Sequence, residues 1–305
     1  MRVGASERGL GTLCRLVGYT RQAYYQQKVR MEGEVLRSEL LLGEVAKLRR
    51  PQPHSGVRKL YSLTTEFRSE HGITLGRDAF FRLMRDEGLL VRKRKPRKPR
   101  TTFSCLWMKR YPNLAKDFVP IAPNQLWVSD ITYIRLKTGF VYLSLITDAY
   151  SRKIVGYHVC RDLSAKGCVA ALRMAIEDNP QREDLIHHSD RGLQYYSTAY
   201  MKTLGPDIRV SMTEKSDPLE NAIAERVNGI LKDELLHRPF ENLTDARAEV
   251  ATAVSTYNHL RPHMSIDMLT PAVAHTKEGP LKRHWKSYYK SIKNAAAQAM
   301  ASAIA

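Results

Sequence analysis

The chain has 305 residues, which at roughly 100 to 200 residues per domain predicts two or three folded units and excludes a single miniprotein domain. Its 49 Lys and Arg outweigh 31 Asp and Glu, for a formal net charge of +18. With 43% hydrophobic residues this is a globular composition carrying an abnormal excess of positive charge, and disorder throughout is excluded. The four cysteines, Cys14, Cys105, Cys160 and Cys168, form no Cys-x-x-Cys pair, so spacing supports neither a disulfide framework nor a cysteine zinc site.

No run approaches the ~18 apolar residues of a bilayer span, and the first ten residues lack the apolar stretch of a signal peptide; a cytoplasmic protein with no membrane role is expected. Residues 9–27 place Leu13, Leu16 and Val17 at helical spacing, then Gly18-Tyr19-Thr20 as turn and cap before a second short helix, a helix-turn-helix-like fragment. A longer helical pattern covers about Glu32 to Arg49 and stops at PQPHSG. Two more helical stretches follow around His71-Gly72. The second puts Phe80, Leu83 and Met84 on an apolar side and leaves Arg77, Arg82 and Arg85 elsewhere. Such a helix suits a DNA major groove as well as it suits an ordinary core.

Residues 1–120 hold 26 basic and 11 acidic side chains, against 23 and 20 in residues 121–305, so the charge excess is N-terminal. It peaks between Val91 and Pro120, where ten basic residues face only Asp117 and prolines stand at 96, 99, 112 and 120. Prolines keep such a run extended and like charges keep it open, so it reads as a tether able to follow a phosphate backbone. Arg92, Lys93, Arg94, Lys95, Arg97, Lys98 and Arg100 are its expected DNA contacts.

Beyond the tether the hydrophobic period changes from 3.6 to 2. QLWVSDITYIRL, GFVYLSLITDAY and RKIVGYHVC read as an antiparallel meander joined by short turns. Ser164 offers an N-cap for a helix closed by Asn179-Pro180, and LIHHSD follows as a strand whose helical crossover implies parallel pairing. The expected fold is α/β, a ribonuclease H-like mixed five-stranded sheet with flanking helices, preceded by an all-α helix-turn-helix-like region. The expected division is 1–90 helical and DNA-binding, 91–123 linker, 124–275 catalytic core and 276–305 helical tail.

Three carboxylates stand out in this core. Asp130 interrupts an apolar strand, where an uncompensated charge costs several kcal/mol. Asp190 ends LIHHSD at the strand's carboxyl edge, where such sheets place ligands. Glu225 lies on an amphipathic helix whose apolar stripe is Ile223, Val227 and Ile230, on a different face shared with Asn221, Asn228 and Lys232. Hard oxygen ligands of this kind select Mg²⁺ or Mn²⁺, and two such ions serve phosphodiester chemistry. Each acid alone reads equally as an ion pair or a cap. Asp148 reads as a turn cap, and His187 and His188 as packing residues or substrate contacts.

These motifs resemble the Asp-Asp-Glu transposases of bacterial insertion sequences, the catalytic OrfB type related to retroviral integrases. The resemblance is carried by LWVSDITYI, FVYLSLITDAYSRKIVGY, HHSDRGLQYYS, SMT, ENAIAERVNGILKDEL and YNHLRPHMSIDMLTPAVA, from about Asn124 to Ala274, and more loosely by SGVRKLY and FFRLMRDEGLL. It implies that Asp130, Asp190 and Glu225 bind two Mg²⁺ (or Mn²⁺) ions, that Arg191 and Lys232 contact phosphates, and that the enzyme cleaves element ends and joins the freed 3′-hydroxyl to new DNA. It also implies a homo-multimer on double-stranded DNA, a nucleoid-associated location and a possible product of an upstream reading frame fused to this one. Thirty-four residues separate Asp190 from Glu225, one fewer than the usual 35, and Glu220 is the rival acid, ~140° away round the helix. No His-His-Cys-Cys spacing precedes the core, so no zinc is expected. A DNA-binding regulator on an inactive core, or a nuclease of the same fold, are the alternatives.

Overall fold

The computed structural model describes residues 7–91, 111–181, 183–214, 218–236 and 238–284. The seven basic residues expected to contact DNA between Arg92 and Arg100 lie outside the described residues. What is described forms two compact units, one of residues 7–50 and 55–91, the other of 51–54 and 111–284.

The first unit is helical: α1 (Glu7–Leu16), α2 (Arg21–Arg49), α3 (Val57–Leu63), α4 (Thr65–Glu70) and α5 (Arg77–Asp86). Thr20 caps α2, its side chain accepting from the Ala23 amide. The separate helices expected up to Gln27 and from Glu32 are one continuous 29-residue helix. Neither glycine nor proline stands between Gln27 and Glu32, and the two interior glycines of α2, Gly33 and Gly43, each cost about 1 kcal/mol, too little to end a helix. Leu41 and Val45 at the far end of α2 pack with Val57, Leu60, Phe80 and Met84 into the unit's core. Arg77, Arg82 and Arg85 are exposed. Arg68 is buried, its guanidinium donating to the Tyr61 and Leu75 carbonyls and stacked over the Tyr61 ring at 3.9 Å.

The second unit is built on β1 (Leu126–Leu136), β2 (Gly139–Asp148) and β3 (Ile154–Cys160), then α6 (Ala165–Asp178), β4 (Ile186–Ser189), α7 (Leu193–Tyr196), α8 (Thr198–Leu204), β5 (Arg209–Met212), α9 (Ala222–Ile230), α10 (Leu243–His259) and α11 (Pro271–Ala274). The sheet order is β3-β2-β1-β4-β5. β1, β2 and β3 pair antiparallel, and β4 and β5 run parallel to β1, as the meander and the crossover helix predict. This is the ribonuclease H-like mixed sheet.

Period-2 alternation sends two sets of side chains to opposite faces. Ile134, Val141, Leu143 and Leu145 pack under Val227, Ile230, Val250 and Tyr257 of α9 and α10. Trp127, Ile146 and Val155 pack under Leu172 and Ala175 of α6 and Tyr200 of α8. Gly156 permits the closest approach: a Cβ there would lie 2.2 Å from the Ala171 carbonyl oxygen, so α6 sits on β3 with no room for a side chain. Ser164 occupies the N-cap position of α6 as expected, but its hydroxyl makes no cap bond; its backbone amide donates instead to Asp162 Oδ1.

At the start of this unit, residues 111–120 are drawn against the sheet's end. The Leu114 amide donates to Ser211 Oγ, and Pro112 O accepts from the Met212 amide. Residues 276–284 carry no helix, and the remainder of the expected helical tail is outside the described residues.

Candidate active site

Two strands bring the first two acids near each other. The parallel β1/β4 ladder ends at the pair Val128 and His188, two residues short of Asp130 and of Asp190, and the two acids come near enough for the charge of Asp190 to act on Asp130. β4 ends at Ser189 whereas β1 continues to Leu136, so Asp190 sits where the chain leaves the sheet. Its Oδ1 accepts from the Gly192 amide at 3.0 Å, and a Cβ at 192 would meet the same oxygen at 3.0 Å; a glycine keeps this turn tight against the carboxylate.

The third acid is placed by two asparagines. Asn221 Nδ2 donates to the Ser129 carbonyl (3.0 Å) and Asn228 Nδ2 to Asp130 Oδ2 (2.7 Å). Glu225 lies four residues after the first and three before the second, on the same helical face, so both anchors turn it toward β1 beside Asp130. Its side chain is exposed, while Asn221 and Asn228 are buried. The face that α9 shares among residues 221, 225 and 228 is therefore the face on the carboxylates. The apolar packing of α9 runs through Ala224, Val227 and Ile230; Ile223, expected in the stripe, is only partly buried.

A buried chain of polar groups holds the start of this helix. The Leu114 amide donates to Ser211 Oγ, which bonds His188 Nδ1 at 2.8 Å, and His188 Nε2 donates to the Glu220 carbonyl at 3.1 Å. Burial pulls the His188 pKa down and keeps the ring neutral, so one nitrogen accepts while the other donates. His187 lies between Ser129 Oγ (2.7 Å) and the Tyr200 hydroxyl (2.9 Å), with burial lowering its pKa to about 3. Both histidines pack and position. Asp148 is fully buried and accepts from the Asn124 amide, the Ser151 amide and Ser151 Oγ, a turn clamp.

The acids perturb one another. Desolvation first, then the Asp190 charge, raise Asp130 to about 7, with Glu225 adding a weaker push and the Asn228 and Ile131 donors opposing. Asp190 is raised by desolvation against the Gly192 hydrogen bond. Two carboxyls that resist ionisation together at an open rim form a set that gains from a cation, and all their free ligand atoms are hard oxygens. Among the described residues no three His, Cys, Asp or Glu side chains already stand at ligand spacing; the rim is a pair of aspartates with Glu225 electrostatically coupled from α9.

Of the expected phosphate contacts, Lys232 has its Nζ 4.1 Å from the centroid of the Tyr133 ring, and Arg191 is partly exposed beside Asp190. Sequence reasoning placed Asn221 and Asn228 on the face of Glu225 but gave them no task. Their seven-residue spacing about the acid was the available signal. Replacing Asn228 by Ala should lower turnover about 10- to 100-fold with little change in DNA affinity, as loss of a group that orients a ligand does, measured by strand-transfer kinetics against a gel shift.

One acid within β1, a second just past the end of β4 and a third on the following helix α9 thus lie about one mixed sheet. Two family models, both described as integrase core domain, match residues 120–218 and 206–271. The chain is 33% identical over 273 residues to the insertion element IS600 uncharacterized 31 kDa protein of Shigella sonnei, covering 87% of this chain and 98% of the relative. It is 30% identical to the transposase for insertion sequence element IS629 of Shigella sonnei, covering 94% of each. The HTLV-2 integrase catalytic core domain in complex with magnesium, in its trimeric form, superposes with a TM-score of 0.42 at 22% identity, covering 52% of this chain and 99% of that one. The chain belongs to the insertion-sequence transposase family with an integrase-like core.

Proposed function

We propose that this transposase cuts the ends of its element and joins the released 3′-hydroxyl to target DNA, with Asp130, Asp190 and Glu225 as the acids that hold two divalent ions. Mg²⁺ or Mn²⁺ bound there would supply Lewis-acid activation of the attacking oxygen and charge neutralisation at the scissile phosphate. The chain's own part is positioning. The β1/β4 ladder brings the two aspartates near each other, Asn228 turns one Asp130 oxygen toward α9, and Gly192 fixes Asp190. Arg191 and Lys232 neutralise flanking phosphates, and the basic run from Arg92 to Arg100 follows the duplex. The cells' nucleoid is the expected location, and a homo-multimer bringing two element ends together is the expected working form. No helix among the described residues is long and apolar enough to cross a membrane.

The observation that supports this reading is the placement of Asp130 within β1, Asp190 just past the end of β4 and Glu225 on α9, the latter two near enough for their charges to raise the Asp130 carboxyl. The test compares Glu225→Gln with Glu220→Gln in cleavage and strand transfer of labelled element ends in Mg²⁺. Glu225→Gln is expected to lose at least about 100-fold, the scale of several kcal/mol of charge stabilisation, while Glu220→Gln keeps most activity because it leaves in place the backbone carbonyl that receives His188. The reverse pattern would reassign the third acid.

A further inference from the structure

Two aromatic rings stand uncovered where the sheet runs out from under its helices. On one face of β1, Trp127 and Ile131 pack with residues of α6, whereas Tyr133, the next residue on that face, is 53% exposed, as is Phe140 of β2. The β1/β2 register pairs Arg135 with Phe140, so Tyr133, Arg135 and Phe140 share this face. The rings meet edge to face, their centroids 5.4 Å apart at 86°. Whichever ring supplies the edge, at least one ring face stays open. Two exposed aromatics in contact are not the scattered single side chains that a surface carries without a partner.

The pair borders the carboxylates. Tyr133 is three residues past Asp130, about 10 Å along an extended strand. β4 accompanies β1 only as far as the pair Val128 and His188, and the next strand contact on that side among the described residues is the bridge of Leu136 with Phe240. Lys232 reaches across this open margin. Asn228, one helical turn earlier, holds Asp130 at 2.7 Å, while the Lys232 ammonium lies 4.1 Å from the Tyr133 ring centroid. Arg135, two residues past Tyr133, is exposed. Open rings among cations, beside a set of acids suited to phosphodiester chemistry, fit a nucleobase: bases stack on aromatic faces while lysine and arginine take the flanking phosphates.

We propose that Tyr133 and Phe140 are a stacking platform for one base displaced from the duplex close to the scissile phosphate, with Lys232 and Arg135 on the phosphates beside it. The inference rests on the strand-transfer reading above and adds the part of the substrate that this edge of the sheet receives. At a rise of about 3.4 Å per base, the distance of about 10 Å from Asp130 places that base within about three nucleotides of the cut. The base has to leave the helix, because inside a duplex its two faces are already stacked. Unstacking is least costly at a strand end or a distorted pair, and a ring that receives the freed face offsets part of that cost. An apolar protein partner is disfavoured because the rings are set among cations, Lys232 over one and Arg135 paired in register with the other.

The experiment measures equilibrium binding of the full chain to duplexes of the element end by fluorescence anisotropy without divalent metal. A single abasic site is moved through the positions within about three nucleotides of the cut, on each strand in turn. Wild type is expected to lose about tenfold in affinity at one of these positions, the scale of one base stacked on an aromatic ring. Tyr133→Ala with Phe140→Ala is expected to lose about tenfold on intact DNA and nothing further at that same position. Tyr133→Phe, which keeps the ring, is expected to bind as wild type does. Both rings are exposed, so an unchanged melting temperature is expected and confirms that the alanine variant has folded. Alanine variants that bind like wild type, or that lose as much again at every abasic position, overturn the proposal. So does an alanine variant whose chain mass without DNA, read by light scattering, falls below that of wild type, because the rings then hold a protein partner. A wild type that does not cut intact ends in Mg²⁺ overturns the strand-transfer reading and this inference together, whereas cutting with no abasic position that matters overturns this inference alone.

Discussion

Asp130→Asn is expected to abolish end cleavage and strand transfer, by about 10³-fold or more, while leaving the fold intact or tighter. The physical reason is that the two effects of the carboxyl oppose each other. In the folded chain the ionised form is penalised first by desolvation and then by Asp190, so a neutral isostere removes that cost, and its single amide oxygen keeps one of the two hydrogen bonds that Asn228 and the Ile131 amide give to separate oxygens of Asp130. In the proposed reaction the same negative charge would help to hold a divalent ion, and losing it would forfeit several kcal/mol of charge stabilisation, at 1.36 kcal/mol per tenfold in rate. Single-turnover assays on labelled element ends, with thermal denaturation in parallel, separate the two. A variant that is both inactive and unfolded would show that Asp130 is structural, and one that remains active would remove it from the site.

The second large effect is a pH dependence that the metal reverses. Asp130 titrates at about 7 in the folded chain and near 3.9 when unfolded, so the folded state holds its proton more tightly. Stability contributed by that proton is fully present below pH ~4 and is lost as pH rises through 7, an amount on the order of 4 kcal/mol. His187 acts the other way: its folded pKa, lowered to about 3, makes stability fall as pH drops below its ordinary range near 6.5. The total melting curve mixes both, so the informative quantity is wild type minus Asp130→Asn. For the metal-free proteins that difference should grow against wild type between pH 5 and 8. At roughly 2 to 4 °C per kcal/mol it should amount to several degrees. Mg²⁺ should then raise the wild-type melting temperature at pH 8 far more than at pH 5, and should leave Asp130→Asn nearly unmoved, because a cation stabilises only the state that binds it. A wild-type response to Mg²⁺ that ignores pH would show that binding occurs elsewhere.

Asn228 and the rest of the rim explain why the site needs so many neutral donors. Asn221 and Asn228 reach from one helix to two successive residues of β1, and the neutral His188 fixes the Glu220 carbonyl just before that helix begins. Donors without charge can orient carboxylates without cancelling the negative field that draws the cation. A lysine at 228 would satisfy Asp130 and compete with the metal for it.

Local pattern determined much of this protein. Alternation in LWVSDITYI and GFVYLSLITD, the short turns between them and the helix from Ala165 specify the meander and the crossover, because a period of 2 or 3.6 is a property of neighbours in the chain. The acids at 130 and 190 stand out for a related reason: a charge in an apolar strand, or at a strand's end, is anomalous where it stands, whereas Glu225 stands out only by its helical register and by the family resemblance. Tertiary structure decided what such patterns leave open. The level at which Asp130 meets Asp190 depends on the β1/β4 register, and register is a relation between strands 60 residues apart. Likewise, nothing in α9 alone says that its asparagines face β1 rather than water, and nothing in Ser164 says that its hydroxyl goes unused. The unbroken α2 follows the same logic, since an isolated glycine is weaker than the turns of helix on either side of it. Hydrogen bonds within a turn are written in adjacent residues, whereas the pKa of Asp130 belongs to a charge and a burial that exist only once the sheet has closed.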